Sequence, residues 1–120
     1  MAKVLIVDDS AFTRNLLRRI CESGGHEVVG QAANAEQAMT LFKELKPELV
    51  TLDYLMPDKS GEEVLEEMIQ LDPEARVIMI SGSGDNIIEK KALQTGAKVY
   101  LEKHTAQREI LAVIDRVMAA

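Results

Sequence analysis

The chain has no tryptophan, and two phenylalanines and two tyrosines are only 3% of its 120 residues. So few aromatic rings leave little surface on which nucleic-acid bases could stack. Positive charge is also short, with 14 Lys and Arg against 20 Asp and Glu and a net charge of −6. Phosphate backbones are held by clustered cations, so direct nucleic-acid binding is not expected. The one cysteine, Cys21, cannot close an internal disulfide, which points to a reducing, cytoplasmic setting. No apolar run approaches the roughly 18 residues of a membrane span, so membrane insertion is not expected either. The first apolar stretch, residues 4–7, is too short for a signal-peptide core and runs into acid instead of a cleavage site. No repeat, low-complexity tract or linker divides the sequence. Residues 1–120 therefore read as one domain, long enough to bury a sizeable core.

What the sequence does contain is an alternation of short apolar runs with helical spacings. The run Leu49-Val50-Thr51-Leu52 suits a strand buried on both faces of a parallel sheet, and it delivers Asp53 at its end before Pro57 stops regular pairing. Lys3-Val4-Leu5-Ile6-Val7 is a second such run, ending in Asp8-Asp9. A weaker strand is expected at 26–32, where His26 carries no assigned role, a fourth at 76–80 leading to Ser81-Gly82-Ser83-Gly84, and the last at 98–101 with Glu102-Lys103 at the tip.

Helices fill the intervals. Ser10 caps the first, whose apolar face is Phe12, Leu16, Leu17 and Ile20, with Arg14, Arg18 and Arg19 off the stripe, Cys21 a plain helix residue and Gly24-Gly25 the stop. Asn34 with Gln37 opens a second, burying Ala35, Ala38, Met39 and Phe42 up to Lys46-Pro47. Ser60 with Glu63 opens a third, burying Val64, Leu65, Met68 and Leu71 and exposing Glu62, Glu63, Glu66 and Glu67. Asp85 caps a fourth that Gly96 ends, and Thr105 a fifth with Ile110, Val113, Ile114 and Val117 inward. Five strands alternating with five helices imply right-handed crossovers and a doubly wound α/β fold, a five-stranded parallel sheet in the order 2-1-3-4-5.

Ligands bind such sheets at the carboxyl ends of the strands, and in this order strands one and three are neighbours at the switch point. Asp8, Asp9 and Asp53 then converge. Three adjacent carboxylates repel, and a hard divalent cation, Mg²⁺, is the natural compensation, since no histidine or cysteine stands at these tips. Mg²⁺, Lys103 and the Ser81 hydroxyl are donors suited to the three oxygens of a phosphoryl group in transfer. Asp53 is the candidate nucleophile and, with Asp8 and Asp9, a candidate metal ligand, while Leu55 can offer the metal only its backbone carbonyl.

These residues carry a resemblance along the whole chain. Val4-Leu5-Ile6-Val7-Asp8-Asp9, Asp53 followed by Met56-Pro57 and Gly61, Ser81 after Val77-Ile78-Met79-Ile80, Gly96-Ala97, and Tyr100 before Lys103 together resemble the receiver domain of two-component response regulators, most of all the single-domain chemotaxis type. The resemblance implies Mg²⁺-dependent acceptance of a phosphoryl group by Asp53 from a histidine kinase. It also implies that Ser81 and Tyr100 switch a protein-binding surface made by the fourth helix, fifth strand and fifth helix. Ser81 moving toward the phosphoryl oxygens would vacate space into which the Tyr100 ring turns. Such a protein promotes its own phosphorylation and dephosphorylation and is not a turnover enzyme.

The sequence departs from the family pattern after the lysine, where His104 replaces the usual proline. A non-proline cis bond costs roughly 2.5–4 kcal/mol, so a trans Lys103–His104 bond and a rearranged loop are expected. The resemblance puts Leu55 and Ser83 beside the phosphoryl group. Leu55 has no group to orient an attacking water, so slow self-dephosphorylation is expected. The Met1 start and the ending after the fifth helix favour a stand-alone module. The alternatives are a receiver from a longer regulator with a DNA-binding or enzymatic output and, from another class, a Mg²⁺ phosphatase resembling the haloacid dehalogenases, whose nucleophile follows the first strand.

Overall fold

The computed structural model describes residues 1–82 and 84–120. Along the chain run β1 (Lys3–Val7), α1 (Ala11–Ser23), β2 (Glu27–Ala32), α2 (Ala35–Leu45), β3 (Leu49–Asp53), α3 (Gly61–Leu71), β4 (Val77–Ser81), α4 (Asn86–Thr95), β5 (Val99–Glu102) and α5 (Gln107–Ala119). The sheet order is β2-β1-β3-β4-β5 and every pairing is parallel, as the alternation of patterns predicts. Among the described residues no helix is long and apolar enough to cross a membrane.

The central strands are mostly apolar, Thr51 and the polar tip residues Asp53 and Ser81 apart, because helices cover both of their faces, and successive side chains feed two separate cores. Leu5, Val7, Val50, Leu52, Val77 and Met79 join Phe42, Leu65, Met68 and Ala92 on the side of α2, α3 and α4. Val4, Ile6, Leu49, Ile78 and Ile80 join Leu17, Ile20, Ile110 and Ile114 on the side of α1 and α5. Burial on both faces fixes the register, since a one-residue slip would exchange the two sets.

Most helix starts are those that the capping residues predict. Ser10 Oγ accepts from Thr13 N–H at 3.2 Å. Ser60 and Glu63 form a reciprocal capping box, and Asp85 Oδ1 accepts from the N–H of Ile87 and Ile88. Asn34 Oδ1 accepts from Gln37 N–H, while Gln37 Oε1 reaches back to Ala33 N–H, one residue before the cap. Gly24 and Gly96 stop their helices, the latter at φ +135°, a conformation that only glycine adopts without strain.

Several expectations are corrected. Thr105 does not cap α5; its hydroxyl donates to the Glu102 carbonyl at 2.6 Å, and the cap position falls to Ala106, which has no side-chain bond to give. Ala106 already has extended backbone, φ −61° and ψ 144°, with Glu109 three residues on. Ala106→Ser would complete a capping box there, and urea denaturation is expected to show a gain of about 0.5–1.5 kcal/mol. On α1, Phe12 is 73% exposed and Leu16 also faces solvent. Phe12 lies five residues from Leu17, about 140° around the helix from the buried stripe of Leu17, Ile20 and Cys21. Cys21 is fully buried, and burial together with the Glu22 charge pushes its thiol up to about 11, so it is an inert packing residue. On α3, Leu71 is exposed, whereas Glu62 is buried, with one carboxylate oxygen accepting from the Thr95 hydroxyl of α4 at 2.5 Å.

His26 is also buried, just ahead of β2. Its Nδ1 accepts from Ala2 N–H at 3.0 Å, and Nε2 lies 3.2 Å from Asp115 Oδ1. With Nδ1 accepting from the Ala2 amide and Nε2 facing Asp115, the ring bridges the start of the chain to α5.

Candidate functional site

Parallel register delivers the acids. Val7 of β1 pairs with Leu52 of β3, so Asp8 and Asp53 follow each other off adjacent strand tips. Asp8, Asp9 and Asp53 each offer a carboxylate oxygen, and these atoms all lie within 4.8 Å of one another. Asp8 and Asp53 are buried, while Asp9 joins them from the solvent side. Lys103, one residue past β5, lays its ammonium across the first two, with Nζ 3.1 Å from Asp8 Oδ2 and 3.4 Å from Asp53 Oδ2. Its backbone N–H donates to the Ser81 carbonyl at 2.8 Å, so the lysine is carried by the ladder between β4 and β5.

Asp8 is held from every side. Its Oδ1 accepts from Ser10 N–H at 2.9 Å, and its carbonyl accepts from Arg14 Nη1 at 2.7 Å. Arg14 was not singled out from the sequence, although a signal existed. The first turn of α1 carries no acid, and a cation near the positive end of a helix is disfavoured unless something there receives it.

Asp53 is less well provided for. It is 3% exposed, and its Oδ2 makes no hydrogen bond, so the ion pair with Lys103 Nζ at 3.4 Å is all that meets this buried carboxylate oxygen. Burial, and then the neighbouring Asp8 charge, push the Asp53 carboxyl up to about 6 against the opposing pull of Lys103. For Lys103, partial burial lowers the pKa, but the Asp8 hydrogen bond and the charges of Asp53 and Asp8 more than reverse this and hold it above the ordinary lysine value. A group of oxygen donors with one orphaned buried oxygen fits a hard divalent cation.

The remaining predicted residues are spread over β4, β5 and the loops that follow β3 and β5. Ser81 is buried at the tip of β4, one residue beyond Ile80, which pairs with Asp53. Tyr100 is on β5, 9% exposed, with its ring against the core on the α4 side. Leu55 sits in the loop after β3 with its side chain 71% exposed. Among the described residues every peptide bond is trans, Lys103–His104 included, as expected for a non-proline residue. The His104 ring is exposed and reaches Glu102 Oε2 at 2.8 Å, away from the acids. Ser83 lies outside the described residues.

A doubly wound parallel sheet with a cluster of acids and a lysine at its carboxyl edge defines a class of α/β proteins with a candidate cation site there, and the comparisons narrow it. The chain belongs to the response regulator receiver domain family, whose family model matches residues 4–115. It is 39% identical over 118 residues to Protein CcdB of Bacillus subtilis, covering 98% of each chain. It is 36% identical over 115 residues to Chemotaxis protein CheY of Thermotoga maritima, covering 96% of each. Its fold matches that of a solved CheX–CheY–BeF3–Mg²⁺ complex from Borrelia burgdorferi with a TM-score of 0.93 and 37% identity, over 96% of this chain and 87% of that one.

Proposed function

We propose that residues 1–120 form one receiver domain in which Asp53 accepts a phosphoryl group from the phosphohistidine of a histidine kinase. The reading rests above all on Lys103 Nζ standing between Asp8 and Asp53 while Asp53 Oδ2 is buried without a hydrogen bond. An Asp53 oxygen would attack phosphorus as the bond to the histidine nitrogen breaks, the imidazole leaving with the electron pair and taking up a proton. Asp8, Asp9 and Asp53, with the Leu55 carbonyl, would hold Mg²⁺, which when bound neutralises charge between the carboxylate and the incoming phosphoryl oxygens. Lys103 would bond one phosphoryl oxygen and the Ser81 hydroxyl another.

The same movement of Ser81 would bias Tyr100 and with it a surface on α4, β5 and α5 that binds a target protein. A chemotaxis setting is supported by the CheY relatives. The chain would then act by binding and not by turnover. The bare, exposed Leu55 side chain supports slow loss of the phosphoryl group, and a phospho-state lifetime of only seconds would overturn that part.

Intact mass after incubation with acetyl phosphate and Mg²⁺ tests the reading. One added phosphoryl group is expected on the wild type, and none on Asp53→Asn or without Mg²⁺. A wild type that binds Mg²⁺ but gains no mass would rule out the phosphoacceptor role.

A further inference from the structure

The loop between β3 and α3 carries Leu55, two residues beyond Asp53, and has no regular structure over residues 54–60. It is closed at its ends: Tyr54 accepts from Gly61 N–H at 2.5 Å, and Ser60 enters the α3 capping box. Half-buried Met56 packs against the core in between. Among the described residues, the hydrogen bonds from the middle of the loop to other elements are few. Lys59 Nζ reaches Glu67 on the exposed face of α3, and all the rest come from Asp58.

Asp58 Oδ1 accepts from Ala35 N–H at 2.9 Å and Oδ2 from Glu36 N–H at 3.1 Å, the first two amides of α2. Oδ1 also accepts from Lys59 N–H at 3.1 Å. The first amides of a helix have no partner within it, and the helix dipole favours an anion there. Asn34 takes the third amide, that of Gln37, so α2 is capped once from its own chain and twice from the loop. The bonds from Ala35, Glu36 and Lys59 hold the Asp58 carboxyl below the usual carboxylate range, as expected for a charged acceptor.

We propose that Asp58 is a positioning residue for cation binding: by clamping the middle of the loop onto the N-terminus of α2, it sets the backbone that presents the Leu55 carbonyl. The inference rests on the metal assignment above, and it makes α2 part of the site's support through the loop. Groups that orient a ligand without touching the ion are commonly worth a factor of ten or more in metal affinity.

The test compares wild type, Asp58→Ala, Asp58→Asn and Asn34→Ala. Calorimetric Mg²⁺ titration measures affinity, and amide hydrogen exchange at Leu55 and Met56 in metal-free protein measures loop order. Asp58→Ala is expected to weaken Mg²⁺ binding about tenfold and speed exchange at both amides. Asp58→Asn, which keeps one good acceptor, should fall between. Asn34→Ala removes a cap from the same helix end without touching the loop, so it should lower thermal stability and leave Mg²⁺ affinity and the loop amides as in wild type. Wild-type affinity in Asp58→Ala would overturn the proposal, as would an equal loss in Asn34→Ala. A wild type that binds no Mg²⁺ would instead remove the metal assignment itself, and the two failures are therefore distinct.

Discussion

Asp53→Asn is expected to make the metal-free protein more stable at pH 7 while removing its phosphoryl acceptor. Burial and the Asp8 charge raise the Asp53 pKa from 3.8 to about 6, so the folded state resists ionising this group. Between those two values the native protein binds more protons than the unfolded chain, so stability falls as pH rises. The contribution is fully present below about pH 4, is lost as pH passes through about 6, and stays lost above it. A shift of that size corresponds to roughly 3 kcal/mol. Asparagine cannot ionise, so the variant should gain up to about that much at pH 7 and little at pH 4. Urea denaturation in EDTA at both pH values reads the difference. A variant less stable than wild type at pH 7 would mean that Lys103 more than compensates the buried charge. Mg²⁺ prefers the ionised carboxylates, so its affinity for wild type should weaken as pH drops below about 6.

Gly61→Ala is expected to be among the most damaging single-methyl changes in the chain. A Cβ there would collide with the Asp53 carbonyl oxygen and lie 2.8 Å from Tyr54 Cα. Both are backbone atoms of the strand tip that carries the acid, so no side chain can turn aside to make room. The substitution must push α3 off β3 or bend the segment holding Asp53, at a cost of roughly 3 kcal/mol or more. Gly82→Ala is the control, because nothing lies within 4 Å of a Cβ built at that glycine. Its denaturation midpoint should scarcely change. Gly61→Ala should also lose Mg²⁺ affinity, and near-wild-type stability in that variant would show that α3 is free to shift.

The acid pocket was legible early because it depends on few things. Once apolar runs alternate with helical spacings, the parallel sheet follows, and the chain order of acids at strand ends becomes a spatial list. Asp8, Asp9, Asp53 and Lys103 needed only the strand order to be brought together. The errors arose where a residue's chemistry and its spacing disagree. Glu62 lies three residues before Leu65, on the inward stripe of α3, but its charge argued for solvent; the Thr95 hydroxyl on α4 donates to one of its carboxylate oxygens, while the other is buried without a hydrogen bond. Thr105 has a hydroxyl suited to a cap, yet a carbonyl three residues back took it first.

By itself, the sequence determined the element order, the two-faced burial of the central strands, most helix starts and the membership of the pocket, because these follow from local propensity and the periods of strand and helix. Only the tertiary structure decided how charge is balanced inside that pocket and what braces it. Lys103 lying across Asp8 and Asp53, Arg14 on the Asp8 carbonyl, the Asp53 oxygen that makes no hydrogen bond and the clamp of Asp58 on α2 all join residues far apart in the chain or depend on ångström-scale orientation. Hydrogen bonds and charges act over such short distances that their partners exist only once packing has fixed the strands and helices in place.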